Sequence, residues 1–303
     1  MVKKEFEVII IGGSYAGLSA AMTLGRSLRK TLIIDAGKPC NRQTPYSHNF
    51  LTQDGNTPKE ISEIGKSQVK KYDSIKFYNG LAVRGKRSIK GFEITTSKGA
   101  IFLAKKLVFA TGIKDLIPDI KGFSECWGIS VVYCPYCHGH GYEIRNKNTA
   151  IIANGERAFH PASLVNNLTK KITILTSGAK EFEKNHIEKL KHYNIQILDK
   201  EISAIEHKNG QLEKIIFKDG SSEKFECAYA AIPFKQNCII PKELDCKLNE
   251  NGHIEINSMQ KTTEADIFAC GDNSTMMRSV AIAVSSGNIA GAAINNELSQ
   301  RTF

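Results

Sequence analysis

The sequence predicts an α/β protein of about two domains, each opening on a strand, a small-residue turn and a helix. Three observations carry this expectation. The chain has 303 residues, against roughly 150 per domain. Glu7 to Ile11 (EVIII) is a short β-branched run of the kind buried on both faces of a parallel sheet. Asn148 to Ile152 reads as a second strand, and it too enters a turn that opens a helix.

Taken in order, the first run enters Gly12-Gly13-Ser14-Tyr15-Ala16-Gly17, then a helix over Leu18 to Leu28. The strand Thr31-Leu32-Ile33-Ile34 follows and ends in Asp35. Strand, glycine turn, helix, strand and acid in this order form the βαβ dinucleotide fingerprint, whose first glycine permits the tight turn and whose last lets helix and strand pack closely. Backbone N–H groups at the helix start hold a pyrophosphate, and Asp35 is placed to accept from a ribose hydroxyl. One position departs: the middle glycine of GxGxxG is Ser14, a residue small enough to let a phosphate approach.

Two later segments extend the pattern. Lys106 to Phe109 (KLVF) runs as a strand into Ala110-Thr111-Gly112. Thr262 through Ile267-Phe268-Ala269-Cys270-Gly271-Asp272 precedes a long Ala/Gly/Val-rich helix, Val280 to Leu298. An Asp at a strand end facing a helix start accepts hydrogen bonds from a polyol such as the ribityl chain of a flavin. Together the three segments resemble the flavoproteins with two dinucleotide-binding domains, whose ATG and T-x5-F-A-x-G-D motifs belong to the FAD domain. The resemblance implies FAD, held by the Gly12–Gly17 turn, Asp35, Ala110, Thr111, Gly112, Gly271 and Asp272.

Between these segments lies Cys134-Pro135-Tyr136-Cys137-His138-Gly139-His140. Two thiols three positions apart close a small disulfide, and a neighbouring His lowers the pKa of one of them. CxxCH is also the c-type haem attachment pattern, which requires export to a haem-loading compartment. Zinc on Cys134, Cys137 and His138 or His140 lacks the second Cys pair of most structural sites, so no metal is expected. Two plain buried thiols are the remaining reading. Inside a flavin framework the redox-active pair is the expectation.

With the CxxC at mid-chain, the whole sequence resembles the low-molecular-weight thioredoxin reductase family. That resemblance implies two Rossmann-like, three-layer dinucleotide-binding domains, the second inserted in the first. Residues 1–116 and 244–303 would form the FAD domain and 117–243 the insert carrying the CxxC, with Pro118 and Pro233 or Pro241 near the crossings. It implies a homodimer that passes electrons between NADPH, flavin and the Cys pair, and on to a thioredoxin-like protein or a small disulfide or dithiol. Cys137 would be the sulfur nearer the flavin and Cys134 the outward attacking thiol. The implied FAD set also takes in Arg42, His48, Val83, Arg278, Ser279 and Val280. Family members generally place Arg-Gln-Ala at the last three, so Arg278 matches and Ser279 does not.

Two departures from the family bear on function. The residue after the second Cys is usually Asp; here it is His138, an imidazole that titrates near neutrality and removes a proton from an incoming thiol. His140 is the alternative for that role. CPYCH followed by GYE resembles a subgroup that includes dithiol oxidases, which close disulfides in small molecules and return the electrons to oxygen. The second nucleotide turn is also altered, to Ala153-Asn154-Gly155-Glu156-Arg157-Ala158. It lacks the first glycine and carries an acid at the helix start, where a pyrophosphate would sit. Pro161 falls near the first turn, where it is tolerated. The strand Lys171 to Leu175 ends in Thr176-Ser177-Gly178-Ala179-Lys180, with neither an arginine pair for a 2′-phosphate nor an acid for a 2′-hydroxyl. NAD(P)H is therefore expected to bind weakly or not at all. Three functions follow: a disulfide reductase fed by NAD(P)H or another donor, an oxygen-using dithiol oxidase, and a flavin-binding interaction module without catalysis. The intact CxxC stands against the last.

Composition sets the outer bounds. With 41% hydrophobic and 24% charged residues, disorder and collagen-like repeats are excluded. Of eight cysteines, Cys40, Cys126, Cys227, Cys238, Cys246 and Cys270 stand apart, which reads as a reducing compartment with one pair kept for chemistry. The net charge of +10 is spread from Lys3 to Arg301 without a long basic block, so neither nucleic acid nor membrane is expected as a partner. Val8 to Gly25 clusters glycines that a membrane span has little reason to hold, and Glu5 and Glu7 spoil the basic region of an export signal. A cytoplasmic protein is expected.

Overall fold

The computed structural model describes residues 4–138 and 144–303. The chain forms two compact units, one of residues 4–42, 49–114 and 235–303, the other of 43–48 and 115–234.

In the first unit, strand β1 (Lys4–Ile11), helix α1 (Tyr15–Arg26) and strand β2 (Thr31–Asp35) open the chain. Helix α2 (Pro58–Val69) follows, then strands β3 (Ile75–Asn79), β4 (Ala82–Ser88), β5 (Gly91–Thr96) and β6 (Ile101–Phe109). Helix α1 starts three residues earlier than expected, at Tyr15, because Ser14 already serves as its N-cap. A reciprocal bond pair between Thr57 and Glu60, with Pro58 at the first position, starts α2. The sheet order is β3-β2-β1-β6-β5-β4, with the late strand Ile267–Ala269 also on β6. From β3 through β6 to Ile267–Ala269 all pairing is parallel, whereas β4-β5-β6 is an antiparallel meander.

Alternation along β1 divides the core. Val8 and Ile10 face a cluster built with α1 and the helix Val280–Thr302, and Ile9 and Ile11 face a second cluster with Phe92, Ile94 and Phe102. The two helices pack through small residues, since a Cβ on Gly287 would overlap the Ala16 carbonyl oxygen.

The second unit holds a parallel sheet ordered Gln196–Leu198, Ile172–Leu175, Thr149–Ile152, Cys227–Ala230, Val131–Val132. Beside it lies the antiparallel sheet Ile202–Lys208, Gln211–Phe217, Ser222–Lys224. The return crossing falls at 234/235, earlier than the 243/244 expected. Residues 235–243 stay with the first unit because Ile240 and Leu244 are buried in its core and Glu243 accepts from the Gly85 amide at 3.1 Å. Pro241 thus lies inside that unit, in the helix Ile240–Glu243. Pro161 is corrected as well: helix Glu156–Val165 begins at Glu156, which puts Pro161 in its interior rather than near its first turn and costs it the hydrogen bond to the Arg157 carbonyl. No helix of the described residues is long and apolar enough to cross a membrane.

Candidate active site

Three of the sequence-predicted segments meet at one end of the first unit's sheet. Ile11, Phe109 and Ala269 lie in register on adjacent parallel strands, and Ile34 is level with Ile11 on β2. Each turn continues the ladder by one bond: Gly12 N–H donates to the Ile34 carbonyl at 2.9 Å, Ala110 N–H to Ile11 at 2.9 Å, and Cys270 N–H to Phe109 at 3.0 Å. Gly12 to Gly17, Ala110 to Gly112, Gly271-Asp272 and Asp35 therefore share the carboxyl edge, where open parallel sheets bind ligands.

The glycine turn is fixed by close approach. Gly12 has φ +105°, and a Cβ there would overlap the Ala110 carbonyl oxygen; one on Gly17 would overlap the Gly12 carbonyl oxygen. Ser14 sits at φ −92°, in extended backbone open to any residue, which is why the middle position needs no glycine. Its hydroxyl makes no capping bond and α1 has no acid in its first turn, so the helix-start amides and their positive dipole end face outward unneutralised. The Asp35 carboxylate lies against Gly13 and 3.7 Å from the Lys66 ammonium.

Asp272 accepts from the Cys40 thiol at 3.7 Å and stands 3.9 Å from Arg278 Nε. Ser279 caps the last helix by accepting from the Ile282 amide at 3.2 Å, with Val280 its first residue. Arg42 is exposed and donates to the Pro39 carbonyl, and Val83 is exposed on β4. Sequence reading missed Asn273, fully buried, whose amide donates to the Phe109 carbonyl at 2.8 Å and the Thr111 hydroxyl at 3.2 Å. The only signal for it is its place after Gly271-Asp272.

In the second unit, Cys134 precedes the short helix Pro135–His138, and the His138 amide donates to the Cys134 carbonyl at 3.1 Å. Both cysteines are half-buried. The Tyr229 hydroxyl donates to the His138 carbonyl at 3.4 Å. Burial pushes the His138 imidazole down to about 4, with His48 adding to the effect. His48 belongs to the 43–48 segment of this same unit. His140 lies outside the described residues.

The altered nucleotide turn is filled by the chain itself. Asn154 Oδ1 accepts from the amides of Gly155 at 2.9 Å and Glu181 at 3.1 Å, and its Nδ2 donates to the Ala179 carbonyl at 2.7 Å. Glu156 opens the following helix and stands 3.4 Å from His186, which stacks on Phe159.

A family model described as pyridine nucleotide-disulphide oxidoreductase matches residues 6–287. The chain belongs to that family. Thioredoxin reductase tcpT of Claviceps purpurea is 29% identical over 96% of this chain and 94% of its own. A putative thioredoxin reductase TrxB from Bacillus anthracis superposes with a TM-score of 0.93 at 31% identity, covering 98% of this chain and 100% of that one. An oxidoreductase from Agrobacterium tumefaciens gives 0.91 at 33% identity, over 98% and 99%.

This pyridine nucleotide-disulphide oxidoreductase is a thioredoxin reductase-like flavoprotein. The carboxyl edge of its first unit fits the flavin the family implies: three turns meet there, and the buried Asn273 Oδ1 lacks a hydrogen-bond partner. At its second turn Asn154 Oδ1 takes up the Gly155 amide at the helix start, and an acid, Glu156, opens the helix. Four of the other thiols are held protonated by their environment. Burial raises Cys126, Cys227 and Cys238 to about 11 and Cys270 to about 12, and thiols protonated at neutral pH are poor nucleophiles. Among the described residues no group of three His, Cys, Asp or Glu is placed to hold a metal ion.

Proposed function

We propose that this flavoprotein binds FAD at the first turn and oxidises dithiols through Cys134 and Cys137, returning the electrons to oxygen. The observation that carries the direction is the Asn154 side chain, tied to Gly155, Glu181 and Ala179. A pyrophosphate would have to displace three hydrogen bonds, each worth about 1 kcal/mol net, and then face the Glu156 carboxylate at the helix start. A reductase of this family draws on that turn; a dithiol oxidase does not.

In this reading a substrate thiolate attacks Cys134, the Cys134–Cys137 bond breaks, and Cys137 leaves as thiolate. The second substrate thiol closes the substrate disulfide, with His138 accepting its proton. FAD, when bound, would supply a two-electron acceptor for the Cys pair and a route from it to oxygen. The Gly12–Gly17 turn, Asp35, Ala110, Thr111, Gly112, Asp272 and Asn273 would hold it. The wider FAD set of Arg42, Val83, Arg278, Ser279 and Val280, a homodimeric state and a cytoplasmic setting complete the proposal.

Parallel anaerobic titrations with dithiothreitol, NADPH and NADH test it. Dithiothreitol is expected to bleach the visible flavin band, while both pyridine nucleotides leave it intact. Rapid bleaching by NADPH with delivery of electrons to thioredoxin would overturn the oxidase direction.

A further inference from the structure

A cavity of about 270 Å³ in the second unit is lined by His138, a volume near the lower end for small-molecule sites, about 300 Å³ upward. It lies one helical turn from Cys134. The His138 amide donates to the Cys134 carbonyl at 3.1 Å, and side chains four positions apart on such a turn share a face. Most of the wall is apolar: Pro45, Ile129, Val132 and Ile144 line it, with the exposed Tyr46 among them. The buried Cys227 also lines it. Burial raises that thiol to about 11, and it shares a hydrogen bond with the Thr149 hydroxyl at 3.2 Å, so it offers contact rather than a second nucleophile.

Lys147 adds a cation to this lining. Its root is fixed: the Lys147 amide donates to the Ile144 carbonyl at 3.0 Å, and its carbonyl accepts from the hydroxyls of Thr149 at 3.1 Å and Thr169 at 2.7 Å. The half-buried side chain forms no ion pair with any described residue. Glu226, the acid in the lining, is exposed and accepts from the Asn148 amide at 2.9 Å. The backbone therefore holds the acid, and the ammonium has no carboxylate on it. Apolar walls with a free ammonium among them are complementary to an apolar chain that carries an anion.

We infer that this cavity takes the body of the substrate, a small dithiol on a short apolar chain ending in a carboxylate, with the chain against Ile129, Val132 and Ile144 and the carboxylate on the Lys147 ammonium. This rests on the dithiol-oxidising reading above and adds the substrate class to it. Lys147 sets specificity and takes no part in the chemistry at sulfur. A hydrogen bond between ionised partners is about twice as strong as a neutral one, so exchanging the carboxylate for an uncharged group isolates its contribution.

Dihydrolipoate and dihydrolipoamide, one dithiol chain ending in a carboxylate or in a neutral amide, test it. Anaerobic flavin bleaching by each is followed by rapid mixing in wild type, Lys147→Gln and Lys147→Arg, with flavin content and thermal unfolding measured alongside. At equal subsaturating concentration the acid is expected to react about tenfold faster than the amide. The ratio should fall to about one in Lys147→Gln and largely survive in Lys147→Arg; a merely structural fault lowers both rates and leaves the ratio as it was. Octanoate, which has the chain and the carboxylate but no thiol, gives a readout that needs no variant: it should bind wild type in calorimetry and compete with dihydrolipoate. Equal rates for acid and amide in wild type, a ratio that survives Lys147→Gln, or octanoate that does not bind would overturn the cavity's role and leave the dithiol reading standing. Wild-type protein that neither dithiol bleaches would overturn both.

Discussion

Cys137→Ser is expected to abolish dithiol-driven flavin reduction, with a rate loss of about 10⁴-fold or more, while flavin content stays at the wild-type level. A serine hydroxyl neither closes a disulfide with Cys134 nor ionises near neutral pH, so both the acceptor bond and the leaving thiolate are lost. Residues that act as one unit give losses of this size when either is removed, so Cys134→Ser should be as severe. Stopped-flow bleaching by dithiothreitol checks both variants. Cys238→Ser serves as the comparison and should bleach at the wild-type rate, because burial holds that thiol up at about 11. A Cys137→Ser protein that turned over normally would refute the redox pair.

The second large effect concerns stability. Lys106 is fully buried, yet its ammonium bonds Asp266 at 2.6 Å and also bonds Glu297; Arg301 and Lys261 extend the network outward. Burial works against ionised Asp266 and Glu297, but the cations outweigh it and hold both carboxyls below their usual range. Removing one member of a buried ion pair costs about 3–5 kcal/mol. Lys106→Met should fall near the low end, since Asp266 and Glu297 keep 25% and 20% exposure and one cation each. Urea unfolding followed by circular dichroism measures the loss, and a value under about 1 kcal/mol would contradict the network's role. The sign with pH follows from the lowered carboxyls. The difference between variant and wild type should be full at pH 7 and shrink as pH falls below about 4, where the acids take up protons.

Much of this was legible in the sequence, for a physical reason. Strands buried on both faces read as β-branched runs, and turns that need glycine show glycine, so the EVIII–GGSYAG unit and the GD turn are plain in the sequence. The CxxC was equally plain. What was hidden depends on contacts between distant residues. Lys106 reads as a surface lysine until Asp266 and Glu297 come beside it. Asn154 reads as a lost glycine motif, and only the fold reveals that its amide occupies the backbone donors. The 43–48 segment has no periodicity, so nothing local tells that His48 packs with the unit of His138 rather than with the glycine turn. Likewise the crossing at 234/235 is set by the burial of Ile240 and Leu244, which Pro241 did not signal.

The central claim is the path of electrons from dithiol to oxygen, and peroxide stoichiometry tests it most directly. Protein bleached anaerobically by a dithiol is mixed with air, and hydrogen peroxide and substrate disulfide are counted. The flavin band is expected to recover with one peroxide formed for each disulfide. A flavin that stays reduced in air, or one that dithiols never reduce while NADPH does, would contradict it.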